Sequence, residues 1–304
     1  MSTFQPRKPA GSPKGGQFDT KPHVPSDLVL GEEEEDATDG INPTNQCDHA
    51  FSDLEYAHTT RTGYDYDRSG FDSVTVNDVI ETAMRARQCT FREVDATNSI
   101  FPFSELDGST VTSCSLTDVS LARSMMRRMD IGYTTLKNCR LVNSDMEGST
   151  IRESQFLNVS ASGVSARSAQ FYDSTISGHL EYIDLSDAHL DNCDLRGVQA
   201  RGAILNQASI TETTTLAGAD LREADMISTR MVGVDAQGAN MGGASAIRAD
   251  FRSANLRGVN LKGAKLDGAL FDDADVSGAT IDETYRRKIE QVAYSTEGVT
   301  WVGA

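Results

Sequence analysis

Apolar side chains recur at every fifth position over a long C-terminal stretch of this chain, and no other feature constrains its fold as strongly. Fourteen consecutive positions at this spacing are apolar: Leu216, Leu221, Met226, Met231, Ala236, Met241, Ala246, Phe251, Leu256, Leu261, Leu266, Phe271, Val276 and Ile281. Only 38% of the residues are hydrophobic. Such a run would therefore arise by chance about once in a million trials.

A period of five matches neither regular secondary structure, because a helix repeats about every 3.6 residues and a strand every two. A small residue, most often Ala, stands two positions before each apolar residue, as Ala219 does before Leu221. The position between them is often Asp or Asn. A fixed period of this length indicates a small unit that is repeated and stacked, so that each copy buries its apolar side against its neighbours.

Several five-residue segments resemble the pentapeptide-repeat family. They read A-D-L-R-E (Ala219 to Glu223), A-N-L-R-G (Ala254 to Gly258), V-N-L-K-G (Val259 to Gly263), A-K-L-D-G (Ala264 to Gly268) and A-D-V-S-G (Ala274 to Gly278). The resemblance implies an all-β fold, a right-handed quadrilateral parallel β-helix with four pentapeptides per coil. It also implies that the central apolar residue, here called the centre, and the small residue two before it point inward. The other three would point outward or form the corners.

The same period continues towards the N-terminus in two earlier frames. One frame ends at Ile176, and the next runs from Leu180 to Ile210. The step from Ile176 to Leu180 is four residues and the step from Ile210 to Leu216 is six, which predicts one tightened corner and one bulge within a continuous stack. Residues 89–282 are therefore predicted to form about ten coils with short helical caps.

The N-terminal part of the chain does not show this pattern. Residues 1–45 hold six of the seven prolines, with many Gly, Lys and acidic residues, and this composition is typical of a disordered tail. Within it, R-K-P-A-G-S-P-K-G-G-Q-F (Arg7 to Phe18) resembles a short motif of actinobacterial and actinophage proteins. Residues 46–76 are predicted to be a transitional segment that packs on the first coil, serves as an adhesive patch or remains disordered.

Helices are predicted at both ends of the repeats. Over residues 77–88, Asp78 and Glu81 have the spacing of a helix capping pair, and apolar residues follow on one face. This segment is predicted to cap the first coil. Residues 283–304 are predicted to contain a second short helix and to serve either as a plain cap or as a homodimer interface. The residues that would form the interface are Tyr285, Ile289, Val292 and Trp301.

The charge of the chain limits its partners. It carries 28 basic and 45 acidic residues, a net charge of −17, which argues against direct binding of nucleic acid. No apolar stretch approaches the length of a membrane span, and the N-terminus lacks the apolar core of a signal peptide. We therefore expect a cytoplasmic location, in the host cytoplasm if the chain is phage-encoded.

The residues that usually carry chemistry fall into the repeat pattern. Cys89, Cys114, Cys139 and Cys193 each stand two before a centre, where a small core residue is expected. His179 and His189 each stand one before a centre and are predicted to point outward on opposite sides. No nucleophile elbow, phosphate-binding glycine loop or zinc spacing occurs. We expect no pocket, catalytic residue, metal or cofactor, and no enzyme activity.

Two acidic sets are the predicted partner-binding residues. The first is Glu181, Asp184, Asp187, Asp191 and Asp194, and the second is Asp267, Asp272, Asp273 and Asp275. Quinolone-resistance members of the family that the repeats resemble are understood to engage DNA gyrase as DNA mimics. The resemblance thus implies a non-catalytic binding protein that inhibits or protects a DNA-handling enzyme such as a type II topoisomerase. A phage or cellular scaffold without DNA mimicry, and a plain solvated surface, remain the alternatives.

Overall fold

The computed structural model describes residues 48–303, which form one parallel β-solenoid of about 13 turns. The predicted disordered tail and the segment Arg7 to Phe18 lie outside the described residues. Most turns contain 20 residues, so that Phe51 pairs with Phe71 and Phe71 with Phe91. At about 4.8 Å per turn, the solenoid is about 60 Å long.

Each turn has four faces, which we number 1 to 4 along the chain. Face 1 stacks the strands Ala50–Ser52, Gly70–Asp72, Thr90–Arg92, Thr110–Thr112, Asp130–Gly132, Thr150–Arg152, Gln170–Tyr172, His189–Asp191 and Ser209–Ile210. Face 2 stacks Glu55–Ala57, Thr75–Asn77, Asp95–Thr97, Ser115–Thr117, Thr135–Lys137, Gln155–Ser160 and Thr175–His179. Face 3 contains Thr60–Thr62 with Ile80–Thr82, and Thr280–Asp282 with Thr300–Val302. Face 4 and the remaining turns are joined by single bridged residues, such as Asp65 with Arg85.

The centres and the small residues before them fill the interior, as the period predicts. Leu195, Leu221 and Leu256 are buried, as are the alanines of the same turns. In the N-terminal half, Ser often replaces Ala in the small position and joins successive turns. Ser109 Oγ donates to the carbonyl of Ala86 (2.8 Å) and accepts from the backbone N–H of Cys89 (3.0 Å).

The predicted N-terminal capping helix over residues 77–88 is wrong, and so is the start of the repeats at Cys89. This segment contains the strand Ile80–Thr82 and three corners, and residues 46–76 also form regular turns where they are described. The centres continue back to Phe51 at every fifth residue. The apolar pattern of the sequence does not reveal these centres, because two of the inward positions hold charged residues, Arg61 and Glu81, which interrupt the apolar run.

Both predicted slips in the period are confirmed. At the first, the pairing with the preceding turn shifts by one residue, so that Val159 lies opposite Gly178. At the second, one residue is added at the corner after Ile210, and the backbone N–H of Asn192 bonds to Thr213 Oγ1, 21 residues on (3.1 Å). One deletion and one insertion leave the stack continuous.

The C-terminal segment closes the solenoid. A 3-10 turn, Glu283–Tyr285, leads into helix α1, Arg286–Val292, which confirms the predicted helix. The strand Thr300–Val302 then pairs with Thr280–Asp282, so that Trp301 lies opposite Ile281. Ile289 is fully buried, and helix α1 therefore covers the end of the core.

The expectation that the protein has no pocket is wrong for the N-terminal turns. A cavity of about 150 Å³ lies on the axis there and is lined by inward-facing residues from Tyr56 to Met146. Arg61 and Glu81 lie at its N-terminal end and form an ion pair (Nη2 to Oε2, 3.4 Å). Burial raises the pKa of Glu81, while the charge of Arg61 opposes that rise. The rest of the lining is almost entirely apolar.

A local motif ties stability to pH. In D-x-R segments the Asp precedes a centre and the Arg follows it. The distance from the guanidinium nitrogen to the carboxylate oxygen is 2.5 Å for Asp194, 2.6 Å for Asp220 and 2.7 Å for Asp250. The hydrogen bonds from Arg hold the pKa of each carboxyl below its usual value.

A folded-state pKa below the unfolded value gives stability that is present above the unfolded pKa and lost as the pH falls through the folded one. We expect the free energy of unfolding to fall between roughly pH 5 and pH 2. A triple Asp→Asn variant at these positions should lose less over the same interval. Urea unfolding at pH 7, 4 and 2.5 measures the difference, and equal losses in both proteins would contradict this role.

Candidate functional site

The structure distributes the first predicted acidic set around the solenoid instead of gathering it on one face. Glu181 lies at the corner between faces 3 and 4, Asp184 on face 4 and Asp187 at the corner between faces 4 and 1. Asp191 follows at the corner between faces 1 and 2, and Asp194 on face 2. A run of carboxylates that is contiguous in sequence wraps once around the turn, so these five residues do not form a single site.

Most of this set is also engaged within the protein. Glu181 contacts His179 Nδ1 (3.0 Å) and accepts from Ser162. Asp184 pairs with Arg167 (3.3 Å), and Asp194 pairs with Arg196. Asp191 accepts hydrogen bonds from two threonine hydroxyls, which lower its pKa.

The second predicted set is partly brought together. Asp272 and Asp273 form the corner between faces 1 and 2, and Asp275 follows on face 2, where it pairs with Arg257 (3.3 Å). Asp267 lies apart from them, at the corner between faces 4 and 1. Three of the four residues therefore share one edge of the solenoid.

That edge is the main electrostatic feature of residues 48–303. It comprises the two corner residues between faces 1 and 2 and the bridged residue of face 2 in every turn, and we call it the acidic edge. Its fourteen carboxylates are Asp53, Glu55, Asp72, Glu93, Asp95, Glu153, Asp173, Asp191, Asp194, Glu212, Asp235, Asp272, Asp273 and Asp275. Only Arg92, Arg152 and Arg252 share these positions. The edge carries a net charge of −11, and none of its carboxylates is buried.

Charges elsewhere on the solenoid are balanced and paired. Outside the acidic edge, residues 48–303 contain 23 acidic and 21 Lys or Arg residues, and 16 of those acidic residues form ion pairs with Arg or His. At the corner between faces 4 and 1, for example, Asp67 pairs with Arg87 and Asp107 with Arg127. On the acidic edge only Asp72, Asp194 and Asp275 form ion pairs with described residues. The acidic edge is therefore a region of largely uncompensated negative charge.

The signal for this edge is present in the sequence, but at a different spacing. Asp53, Glu93, Glu153 and Asp173 are separated by multiples of 20 residues, the length of one turn. Contiguous charge runs follow the chain around the solenoid, whereas residues 20 apart lie on one line along it. A comparison of residues 20 apart in the sequence therefore reveals the acidic edge, whereas a search for contiguous acidic residues does not.

The predicted interface residues at the C-terminus have separate roles. Ile289 is fully buried, so it offers no surface to a partner. The Tyr285 hydroxyl accepts a hydrogen bond from the backbone N–H of Leu266 (3.1 Å). The Arg286 guanidinium lies over the Trp301 ring, with its Cζ 5.6 Å from the ring centroid. Val292 remains partly exposed. Homodimerisation through this end therefore stays a prediction, without Ile289.

The thiols and imidazoles lie where the repeat pattern places them. Cys89, Cys114, Cys139 and Cys193 are buried, and burial raises the pKa of Cys114, Cys139 and Cys193 to about 11. Such thiols are poor nucleophiles because they remain protonated. The side chain of His179 points outward. Residues 48–303 contain no group of three or more potential metal-ligating side chains and no helix long and apolar enough to cross a membrane.

Comparison with known proteins identifies the repeats. The model of the family described as pentapeptide repeats matches eight copies, within residues 179–214, 212–243 and 247–282. No curated protein matches the sequence.

The chain is similar in part to several solved structures. HetL, a pentapeptide repeat protein involved in heterocyst differentiation regulation from the cyanobacterium Nostoc sp. strain PCC 7120, is 23% identical over 66% of this chain and 88% of its own, with a TM-score of 0.40. A trypsin-treated variant of QnrB1, a plasmid-mediated fluoroquinolone resistance protein, is 18% identical over 58% of this chain and 95% of its own (TM-score 0.32). A thylakoid-lumen protein of Arabidopsis thaliana is 24% identical over 40% and 74% of the two chains (TM-score 0.30).

The fold and surface together define a four-faced parallel β-solenoid with one acidic edge. The five-residue repeats and the family match agree, because residues 179–214, 212–243 and 247–282 match pentapeptide repeats.

Proposed function

We propose that this protein is a non-catalytic DNA mimic whose acidic edge occupies the DNA-binding groove of a DNA-handling enzyme, such as a type II topoisomerase. The acidic edge carries this proposal. Its fourteen carboxylates extend from Asp53 to Asp275, eleven turns apart, which is an average of one carboxylate per about 4 Å of length. Phosphates along one strand of DNA lie about 3.4 Å apart along the helix axis.

The physical basis is electrostatic complementarity with a rigid shape. A groove that binds DNA is lined with Lys and Arg, and a row of exposed carboxylates presents the charge pattern for which such a groove is built. The hydrogen-bonded solenoid holds that row in place, so binding carries little cost in chain entropy. Because the attraction acts between exposed charges, it should weaken strongly with salt.

Charge neutralisation on the edge tests the proposal. The variant Asp95→Asn, Glu212→Gln, Asp272→Asn, Asp273→Asn removes four edge charges that form no ion pair with described residues, so we expect little change in stability. In a gyrase supercoiling assay, we expect wild-type protein to inhibit at micromolar concentration and low salt. The variant should require at least about tenfold more protein, because four electrostatic contacts are lost.

A matched control removes four charges elsewhere. The variant Glu147→Gln, Asp187→Asn, Asp267→Asn, Glu297→Gln changes the net charge by the same amount but leaves the acidic edge intact. We expect its inhibition to stay within about twofold of wild type. Equal loss in the two variants would show that only net charge matters. Absence of inhibition by the wild type, for gyrase and for other DNA-handling enzymes, would remove DNA mimicry.

A further inference from the structure

The axial cavity of the N-terminal turns is narrow and long. Its lining includes inward-facing residues of all four faces, from Tyr56 and Arg61 in the first turn to Leu141 and Met146 in the fifth. Four turn spacings separate those levels, so the cavity is about 19 Å long. A volume of about 150 Å³ over that length describes a tube along the solenoid axis.

The side chains around this tube leave space that the C-terminal turns do not. Phe71, Phe91, Phe101, Val111 and Leu116 occupy inward positions yet are only partly buried. The corresponding centres in the C-terminal turns, such as Met231, Phe251 and Leu256, are fully buried. Protein interiors are normally close-packed, so an unfilled tube over five turns is a departure that needs a physical account.

The chemistry of the lining restricts what fits. Apart from the polar groups at the N-terminal end, where Arg61 and Glu81 pair with each other, the walls are aliphatic, aromatic or thioether groups and the thiol of Cys114. Water is held in a cavity only where several polar partners surround it, and apolar cavities of about this volume take apolar molecules instead. A compact cyclic molecule requires a wide cavity, whereas an extended hydrocarbon chain can occupy a long and narrow one.

We propose that this axial cavity binds an extended hydrocarbon chain, such as the acyl chain of a fatty acid or the alkyl chain of a fatty alcohol. The hydrocarbon chain lies along the solenoid axis and packs against the stacked rings of Phe71 and Phe91, whose centroids are 4.9 Å apart. Its polar end lies towards Arg61 and Tyr66, where the cavity meets the first described turn. This site is separate from the acidic edge, and its existence does not depend on DNA mimicry.

Ala96 provides the test, because it is the smallest of the centres that line the tube. Ala96→Leu places three additional carbon atoms in the cavity, and Ala96→Val adds fewer. Native mass spectrometry of the full chain with 1-hexanol or hexanoic acid, whose chains fill about 150 Å³ at the packing density of a protein interior, should show one bound chain per protein. Ala96→Leu should weaken binding by at least about tenfold, because displacing two or three methylene groups costs that much affinity. Ala96→Val should give a smaller loss.

The control is Ala122→Leu, which adds the same side chain on the outside of the same turns. It should bind both chains as the wild type does. Binding of alcohol and acid alike supports recognition of the chain itself, and binding of the acid alone supports a carboxylate placed at Arg61. No complex with either molecule, or equal binding by Ala96→Leu and wild type, overturns the proposal. Thermal unfolding of each variant confirms that it is folded.

Discussion

Replacing Glu81 with alanine should destabilise the protein by about 3–5 kcal/mol, because it leaves the charge of Arg61 buried without its partner. Only 9% of the Arg61 side chain and 3% of the Glu81 side chain are exposed, and each occupies a centre that normally holds an apolar residue. The Arg61 guanidinium otherwise contacts aromatic rings and the Tyr66 hydroxyl, none of which carries a compensating charge. Urea unfolding at pH 7 measures the loss.

Two further variants test whether the buried, unpaired charge of Arg61 causes that loss of stability. Asp220→Ala removes a partner from the exposed pair with Arg222 and should cost no more than about 1 kcal/mol. The double variant Arg61→Leu, Glu81→Leu supplies the residue found at the later face 3 centres Leu121 and Leu141. It should be as stable as wild type or more so. A double variant as unstable as Glu81→Ala would show that these positions require charge.

The substitution Gly178→Ala should destabilise the protein by about 3 kcal/mol or more. Gly178 lies at the tightened corner with a φ of +117°, which side chains rarely adopt. A Cβ there would lie 2.2 Å from the carbonyl oxygen and 2.6 Å from the amide nitrogen of Val159, and neither backbone atom can move without breaking the pairing between turns.

Gly197→Ala is the matched control for that corner. Gly197 has a φ of +66°, and no atom lies within 4 Å of the position of its Cβ. Its substitution should lower the free energy of unfolding by only about 1–2 kcal/mol, the usual cost of placing alanine in the left-handed backbone conformation. Equal losses at Gly178 and Gly197 in denaturant unfolding would contradict the account of the tightened corner.

The interior of the C-terminal turns could be predicted from the sequence because one physical rule governs every pentapeptide. Leu221, Phe251 and Leu256 face inward since the stack has a single apolar axis, and nothing in that region breaks the rule. The N-terminal turns were missed because Arg61 and Glu81 satisfy each other inside the core, and a pair of opposite charges 20 residues apart does not appear in an apolar pattern.

The acidic edge and the axial cavity required the structure for different reasons. Asp95 and Asp235 lie on the same edge only once the length and slips of every turn are known. The cavity depends on volumes, because the period shows that Ala96 and Val111 point inward but not whether their neighbours fill the remaining space. The short helix α1 was predictable because Tyr285, Ile289 and Val292 have helical spacing.

The central claim is that uncompensated charge is concentrated on one edge of the solenoid. Solution NMR with cationic and anionic nitroxides of equal size measures the surface potential at each backbone amide. We predict that the cationic nitroxide gives stronger relaxation than the anionic one at Asp53, Glu93, Glu153 and Asp173, and nearly equal relaxation along the corner between faces 4 and 1. A uniform ratio around the solenoid, or a stronger effect at the corner between faces 4 and 1, would contradict the claim.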